Sequence, residues 1–585
     1  MTTVRSYEQL NRLTGISSIP AGANQLPLSF QYSYNDVNQR IRVGLHDGSY
    51  WIYEYDALGQ VKSGKRYWAD GTPVAGQQFE YAHDDIGNRT ETKAGGDSTG
   101  SNLRTAEYGA NSLNQYTNRT VPGYVDVLGI GTATAAVTVN GTDPYRRGEY
   151  FHVALPVDNS SAAQYPSIVI QAVAGANSAS STGSVFLAKT PETFVHDADG
   201  NLTQDGRWTY TWDGENRLVA MEALSAVPAA AKLRLEFEYD WRGRRIGKTV
   251  KAWSGTSYTN VCVLKFLYDG WNLAAELDAN NAVVRSYIWG TDLSGSDQGA
   301  GGVGGLLAVN VATNGVHFPA YDGNGNIAGL VSASAGTTTA RFEYGPFAEP
   351  ICVSGPIARV VPLRFSTKYL DGETGLYYYG YRYYDPSTGR WPNRDPIGEL
   401  GFLLTFEMSR PRDLSELLYA FVNNDPNNKW DYLGLSVDSP TASFIAALAQ
   451  GQWGLAWMIL ETTASAAGRA VWVAAYTRAV AGAVALGMGP ALYQANRAWH
   501  IVRPEHQWCR LVQLVNNVPA NAVANFQRVQ ATIPQAWNHG TVVLALKDGR
   551  VVKEAVIQGQ RVVVHGRVLL NDSGTVNIVD AWVTR

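Results

Sequence analysis

The sequence predicts a mainly β chain built as a row of hairpins, closed by a dense aromatic block and followed by a tail of different composition. Three observations carry this. Short cassettes of an aromatic residue, an acid and a glycine recur through the first 350 residues; they gather into Tyr369-Leu-Asp-Gly-Glu-Thr-Gly-Leu-Tyr-Tyr-Tyr-Gly-Tyr-Arg-Tyr-Tyr-Asp-Pro-Ser-Thr-Gly-Arg-Trp391; and after Leu435 the cassettes stop. The chain has 585 residues, more than one core supports, so at least two domains are expected. Its 59 glycines, 32 tyrosines and 17% charged residues suit a turn-rich, aromatic-lined sheet rather than disorder.

The cassettes include Tyr55-Asp-Ala-Leu-Gly, Asp85-Ile-Gly-Asn-Arg, Tyr210-Thr-Trp-Asp-Gly-Glu-Asn-Arg-Leu, Tyr239-Asp-Trp-Arg-Gly, Tyr268-Asp-Gly-Trp-Asn, Tyr321-Asp-Gly-Asn-Gly and Tyr344-Gly-Pro-Phe. From Tyr210 to Tyr239 and from Tyr239 to Tyr268 the step is 29 residues. Each step runs from a β-branched and aromatic stretch into an Asp-x-x-Gly or Asp-Gly-x turn and out again, the pattern of consecutive β-hairpins. One hairpin alone is marginal in water, so the units must pair side by side and share an apolar face. Tyrosine fits such a face because its ring is buried while the hydroxyl reaches a polar partner.

These cassettes resemble the YD repeats of RHS proteins, and residues 369–435, with Arg394-Asp-Pro-Ile-Gly398, resemble the RHS-associated core that ends such arrays. The resemblance implies a spiralling β-hairpin shell, complete or partial, around a C-terminal toxin. Residues 1–120 and 191–368 are then YD-repeat shell. Residues 121–190, with Val137-Thr-Val, Tyr150-Phe-His-Val-Ala-Leu and Ser167-Ile-Val-Ile-Gln-Ala-Val, read as an inserted β-sandwich, a decoration unless it binds a sugar or partner. Phe402 to Glu416 is expected to be an extra loop or short helix.

The resemblance also supplies chemistry. Pro426-Asn-Asn-Lys-Trp-Asp431-Tyr-Leu-Gly-Leu435 is similar to the family's self-cleavage site, with Tyr432 where a proline is usual. It implies scission between Leu435 and Ser436 by Asp431 and an upstream acid, for which Asp395 is the candidate, with Arg394 holding one carboxylate. Two carboxyls held close and partly buried split their pKa values, one keeping a proton to give to the amide and one ionised to activate water. The plain alternative is that both aspartates cap turns.

Residues 436–496 form an apolar pre-toxin segment expected to be helical. Stretch 439–460 carries no charge, and 461–496 carries only Glu461, Arg469 and Arg478. Three readings stay open: buried helices, an element making transient membrane contact during entry, and a pore. Residues 497–585 read as an α+β toxin domain, helices followed by a four-strand antiparallel meander with turns at Asp548-Gly549 and Asn571-Asp-Ser-Gly. The last 88 residues have nine Lys plus Arg and five Asp plus Glu, hence +4, against −4 for the whole chain.

His500-Ile-Val-Arg-Pro-Glu-His506, with His539 and His565, loosely resembles toxin ribonucleases of the colicin, barnase and RelE-like group. Metal-free RNA cleavage needs a base, an acid and cations for the phosphate. His500 or His506 fills the first two roles, and Arg503 with Lys553 or Arg585 the third. No cofactor or metal is expected. A zinc deaminase would need a Pro-Cys-x-x-Cys that the tail lacks, and a zincin His-Glu-x-x-His is absent. A metal-dependent DNase stays open, as does a structural or adhesive YD-repeat protein of the teneurin type.

The partners implied are RNA or DNA, a cognate immunity protein of acidic surface, and a delivery apparatus of the type VI secretion kind. Three scattered cysteines give neither a disulfide framework nor a thiolate metal site. No secretory signal follows Met1, so the expected location is the producer's cytoplasm, then a target cell's.

Overall fold

The computed structural model describes residues 1–396 and 418–435, together with the backbone of four strands between 541 and 584. The described residues contain strands, turns and short 3₁₀ segments, and no α-helix. None of their helical segments is long and apolar enough to cross a membrane. The chain divides into two compact units, Met1–Glu399 with Pro411–Val437, and Leu400–Arg410 with Asp438–Arg585.

In the first unit the hairpins pair in chain order. An eleven-stranded antiparallel sheet runs from Thr2–Tyr7 to Tyr116–Arg119 and takes Glu192–Thr193 as its last strand; a fourteen-stranded sheet runs from Val195–His196 to Pro350–Ser354. Between them two three-stranded sheets, spanning Tyr124–Ile130 to Asn177–Ser184, face each other over Val125, Val127, Val137, Val139 and Phe151.

The repeat has a definite chemistry. At the acid-opened turns the side chain of the first residue closes the loop: Asp56 Oδ1 accepts from the amides of Leu58 and Gln60, both at 2.9 Å, and Asp240 Oδ1 from Arg242 at 2.9 Å and Arg244 at 3.0 Å. The fourth residue is then left-handed, Gly59 at φ 81° and Gly243 at φ 79°, and elsewhere Asn38, Asn216 or Asn281 takes that place. Only glycine and asparagine adopt it readily, which is why the sequence is punctuated by them.

Just before each turn the strand register slips by one residue, as at Glu54/Tyr55, Glu238/Tyr239 and Ala320/Tyr321. A bulge twists the strand and re-aims the next side chain. Here it sends the tyrosine hydroxyl to the opening carbonyl of the preceding strand. Tyr34 reaches Leu13 at 2.8 Å, Tyr55 Arg40 at 2.6 Å, Tyr239 Leu218 at 2.6 Å, Tyr321 Leu306 at 2.7 Å and Tyr344 Ile327 at 2.8 Å.

Two cassettes differ in detail from their sequence reading. Trp212, not Tyr210, makes this link, its indole donating to Leu202 at 2.7 Å, because it is the residue adjoining the turn. In the Asp85 cassette it is Asp84 that caps, accepting from Ile86 at 3.1 Å and Asn88 at 2.8 Å.

The aromatic block folds as a small three-stranded sheet, Tyr369–Asp371, Leu376–Tyr378 and Tyr383–Tyr384, and docks on the turns of both large sheets. Tyr378 Oη accepts from the Arg245 amide at 2.8 Å, Tyr384 donates to Phe347 at 2.9 Å, and Asn424 donates to Gln60 and Gly87, both at 2.8 Å. Arg245 is 1% exposed, ringed by Phe237, Phe266, Tyr369, Tyr378 and Tyr383, and paired with Asp371 at 2.5 Å. Lys248 adds a second cation to Asp371 at 2.9 Å.

The second unit contains a four-stranded antiparallel sheet of Thr541–Ala545, Arg550–Ile557, Gln560–Leu570 and Val576–Thr584 in chain order. Runs 561–565 and 568–570 are one strand with a register shift at Arg567/Val568. The expected helices before 541, the segment 439–496 and the loop 402–416 lie outside the described residues.

Removing one member of a fully buried ion pair strands the other charge. Asp371→Ala therefore costs about 3–5 kcal/mol and lowers the denaturant midpoint of the first unit, whereas Asp278→Ala, at an exposed turn capping Asn280 and Ala282, costs about 1 kcal/mol.

Candidate functional site: a buried carboxylate pair at Leu435

The site is assembled from three parts of the aromatic block. Tyr379 to Arg382 form the tight turn between strands Leu376–Tyr378 and Tyr383–Tyr384, closed by Tyr379 N to Arg382 O at 2.9 Å. Arg382 is the only charged residue of Tyr377–Tyr384. It is 2% exposed, its guanidinium 4.1 Å from the Trp391 ring centroid. A cation so placed must spend its donors on buried acceptors. Arg382 Nη2 donates to Asp395 Oδ2 at 2.6 Å, Nη1 to the Leu418 carbonyl at 3.1 Å and Nε to the Gly434 carbonyl.

The Nη2 that holds Asp395 lies 4.0 Å from Asp431 Oδ2. One guanidinium thus gathers the two predicted aspartates and the segment that ends at Leu435. Asp431 is fully buried and Asp395 5% exposed. Asp431 Oδ1 accepts from the Gly434 amide, while its Oδ2 is buried with no hydrogen-bond partner.

Burial pushes the Asp431 carboxyl up to about 7; Asp395 adds to the shift, and Arg382, the Gly434 amide and Lys368 oppose it. The folded chain keeps a proton that the unfolded chain releases near pH 4. This carboxyl therefore subtracts from stability as pH rises from there to about 7.

The turn itself is strained. Leu435 N donates to Tyr432 O at 2.9 Å, and both intervening residues are left-handed, Leu433 at φ 57° and Gly434 at φ 81°. Glycine tolerates this; a leucine does so only when its surroundings impose it. Leu433 is 2% exposed, and its carbonyl is held by the Tyr381 amide at 2.9 Å.

Arg394 is placed elsewhere than its sequence position suggested. Its Nε points to Tyr419 Oη at 3.3 Å, beside Gly200, and the role expected of it, holding a carboxylate, falls to Arg382. Sequence distance hides this: Arg394 adjoins Asp395, but consecutive side chains of an extended backbone point apart. The signal available was a lone arginine in a run of tyrosines.

The other acids of the block among the described residues are otherwise engaged. Asp371 pairs with Arg245 and Lys248, Asp385 accepts from Ser387 and Thr388, and Asp425 accepts from Asn428 at 2.7 Å. Asp425 is also pushed up to about 7 by burial.

Of the residues proposed for the tail chemistry, Lys553 lies in strand Arg550–Ile557, opposite Val542 and Val564, and His565 lies opposite Val552 and Trp582. Ser436, His500, Arg503, His506, His539 and Arg585 lie outside the described residues. No group of side chains suited to a metal ion occurs among the described residues.

Residues 182–427 match the Teneurin YD-shell family. The tRNA3(Ser)-specific nuclease WapA of Bacillus spizizenii is 30% identical over 251 residues, 41% of this chain and 9% of that protein. The double-stranded DNA deaminase toxin A of Burkholderia cenocepacia is 28% identical over 222 residues, 35% of this chain and 15% of that one. A TcdB2-TccC3-Cdc42 crystal structure aligns at TM-score 0.33 and 16% identity, covering 76% of this chain and 21% of that one. The chain thus spans 9% to 15% of the length of the two curated relatives. Repeat chemistry, terminal aromatic block and relatives agree: over residues 182–427 the chain carries a YD-repeat shell of the Teneurin type, similar to those of RHS toxin proteins.

Proposed function

We propose that the chain is a toxin precursor that cuts its own backbone between Leu435 and Ser436 and so frees its C-terminal part. The observation that carries this is the fully buried Asp431, with an unpartnered oxygen and a carboxyl held near neutrality, sharing one guanidinium with Asp395. Asp395, paired with Arg382, is the base that takes a proton from water as the oxygen adds to the Leu435 carbonyl. Asp431, still protonated near neutral pH, gives its proton to the Ser436 nitrogen as the C–N bond breaks. The products are a Leu435 carboxylate and a Ser436 amine. A dry site strengthens both roles, since each charge is fixed by the protein rather than dispersed in water.

For the freed part we infer a nuclease, and among nucleases a metal-independent ribonuclease using His500 or His506 with Arg503 and Lys553 or Arg585. Support comes from the +4 charge of the last 88 residues and from relatives named as tRNA nucleases and as a probable deoxyribonuclease. One relative is named as a toxin, Tse5 of Pseudomonas aeruginosa; for this chain we infer a cognate immunity protein, a delivery apparatus and action in a recipient cell's cytoplasm. A metal-dependent DNase is the second reading, on the strength of the RhsB relative. Chelator-sensitive cleavage of DNA in preference to RNA would select it.

Intact-mass measurement of the purified wild-type chain yields a fragment beginning at Ser436, and Asp431→Asn or Asp395→Asn slows its appearance at least ~100-fold; a wild-type chain of undiminished mass refutes the cleavage. The rate of cleavage is set by the protonated form of Asp431. It drops roughly tenfold per pH unit above pH about 7, and falls again in acid once the base Asp395 is protonated, as a time course in buffers of rising pH will show. His500→Ala combined with His506→Ala abolishes growth arrest on expression of the chain in bacteria while leaving the Ser436 fragment intact; continued arrest removes the ribonuclease assignment.

A further inference from the structure

One buried cation beside the Asp431–Leu435 turn has no part in the two-carboxylate chemistry. Lys368 is 6% exposed, yet its ammonium makes its hydrogen bond to a neutral acceptor, the Gly301 carbonyl, at 2.6 Å. It also stands 5.3 Å from the centroid of the Tyr379 ring. A lysine seldom gives up water without a carboxylate partner, and burial pushes this one down to about 8. Something must be gained by keeping it there.

Gly301 belongs to the run Gly299-Ala-Gly-Gly-Val-Gly-Gly305. The run is fixed by Asp292 Oδ2, which accepts from Ala300 at 2.7 Å and Gly302 at 3.0 Å, and by Thr367 Oγ1, which accepts from Gly304 at 2.8 Å. At Gly301, φ is 63°, and a Cβ would stand 3.1 Å from Lys368 Nζ and 3.2 Å from the Leu433 amide nitrogen. The loop backbone therefore lies directly against the left-handed residue of the cleavage turn. Lys368, Gly301, Tyr379, Gly380 and Leu433 line one small cavity.

We propose that Lys368, acting through Gly301, is a positioning residue for scission at Leu435: it clamps the glycine loop against Leu433 and so holds the strained Leu433–Gly434 turn against the carboxylate pair. The inference rests on the self-cleavage reading. It adds a consequence for pH. Asp431 faces Arg382 from the Tyr379–Arg382 turn, Asp395 from the segment after Trp391, Tyr379, and Lys368; Lys368 in turn faces Asp431 and Asp292. Lys368 is thus one of two cations favouring the ionised form of Asp431. Taking it away lets Asp431 keep its proton to higher pH.

The test uses the full chain made by cell-free translation and chased in buffers from acid to alkaline, with cleavage followed by intact mass. Lys368→Met is expected to slow cleavage at neutral pH and to move the alkaline limb of the rate profile to higher pH, while Lys368→Arg keeps the limb in place. A residue that only stabilises the fold would lower the rate without moving the limb, so an unmoved limb in Lys368→Met overturns the proposal. Should Lys368→Met fail to fold, Gly301→Ala carries the test. Its methyl enters between the ammonium and Leu433, and ~100-fold slower cleavage is expected in a chain that still unfolds in one cooperative transition, at a lower midpoint; an unchanged rate overturns the clamp. Absence of cleavage in the wild-type chain overturns the self-cleavage reading instead, and is seen before any Lys368 variant is made.

Discussion

The guanidinium of Arg382 is the constraint on which the functional end of this protein depends. Its donors run to Asp395, to the Leu418 carbonyl and to the Gly434 carbonyl, and so tie the segment after Trp391 to the chain end at Leu435. A buried arginine of this kind is costly to desolvate and is held only because each direction around it offers an acceptor. The same charge acts unequally on two acids, close to Asp395 and at the limit of an ion pair from Asp431. In the proposed cleavage, that inequality assigns the base to Asp395 and the acid to Asp431.

Such precision needs a scaffold that does not give, and the hairpin array supplies one. The turn-flanking tyrosines, such as Tyr55, Tyr239 and Tyr344, bond the opening carbonyl of the preceding strand, so neighbouring hairpins are joined by a side chain as well as by the backbone ladder. Each such bond contributes only about 1 kcal/mol. Repetition along both sheets makes the edge that receives the aromatic block rigid. The block is packed from rings, among them Phe365, Tyr377, Tyr379, Tyr384, Trp391 and Phe421, with Tyr384 and Phe421 stacked at 3.9 Å between centroids. Rings have few rotamers to lose, so they fix position at little entropic cost.

Strain and unpaired polarity meet at the turn where chemistry is proposed. Leu433 is left-handed, Asp431 Oδ2 has no hydrogen-bond partner and Lys368 makes its hydrogen bond to a carbonyl. Two other buried cations are paired, Arg245 with Asp371 and Arg285 with Glu276.

Much of this was legible in the residues. The hairpin period follows from the alternation of β-branched and aromatic runs with Asp-x-x-Gly turns, because only glycine or asparagine accepts the left-handed fourth position that those turns require. Asp395 and Asp431 were nameable because each sits in a short motif. What local sequence could not supply was the identity of their cation and their surroundings. Arg394 is next to Asp395 in the chain but turns toward Tyr419, while Arg382, 13 residues away, and Lys368, earlier still, converge on the site.

Sequence by itself thus determined the repeat, its turns and the two acids, since these depend on backbone preferences and spacing within a few residues. Tertiary structure alone decided which arginine pairs with which carboxylate, which oxygen stays bare and how far burial lifts a pKa, because those depend on what remote segments bring within a few ångströms.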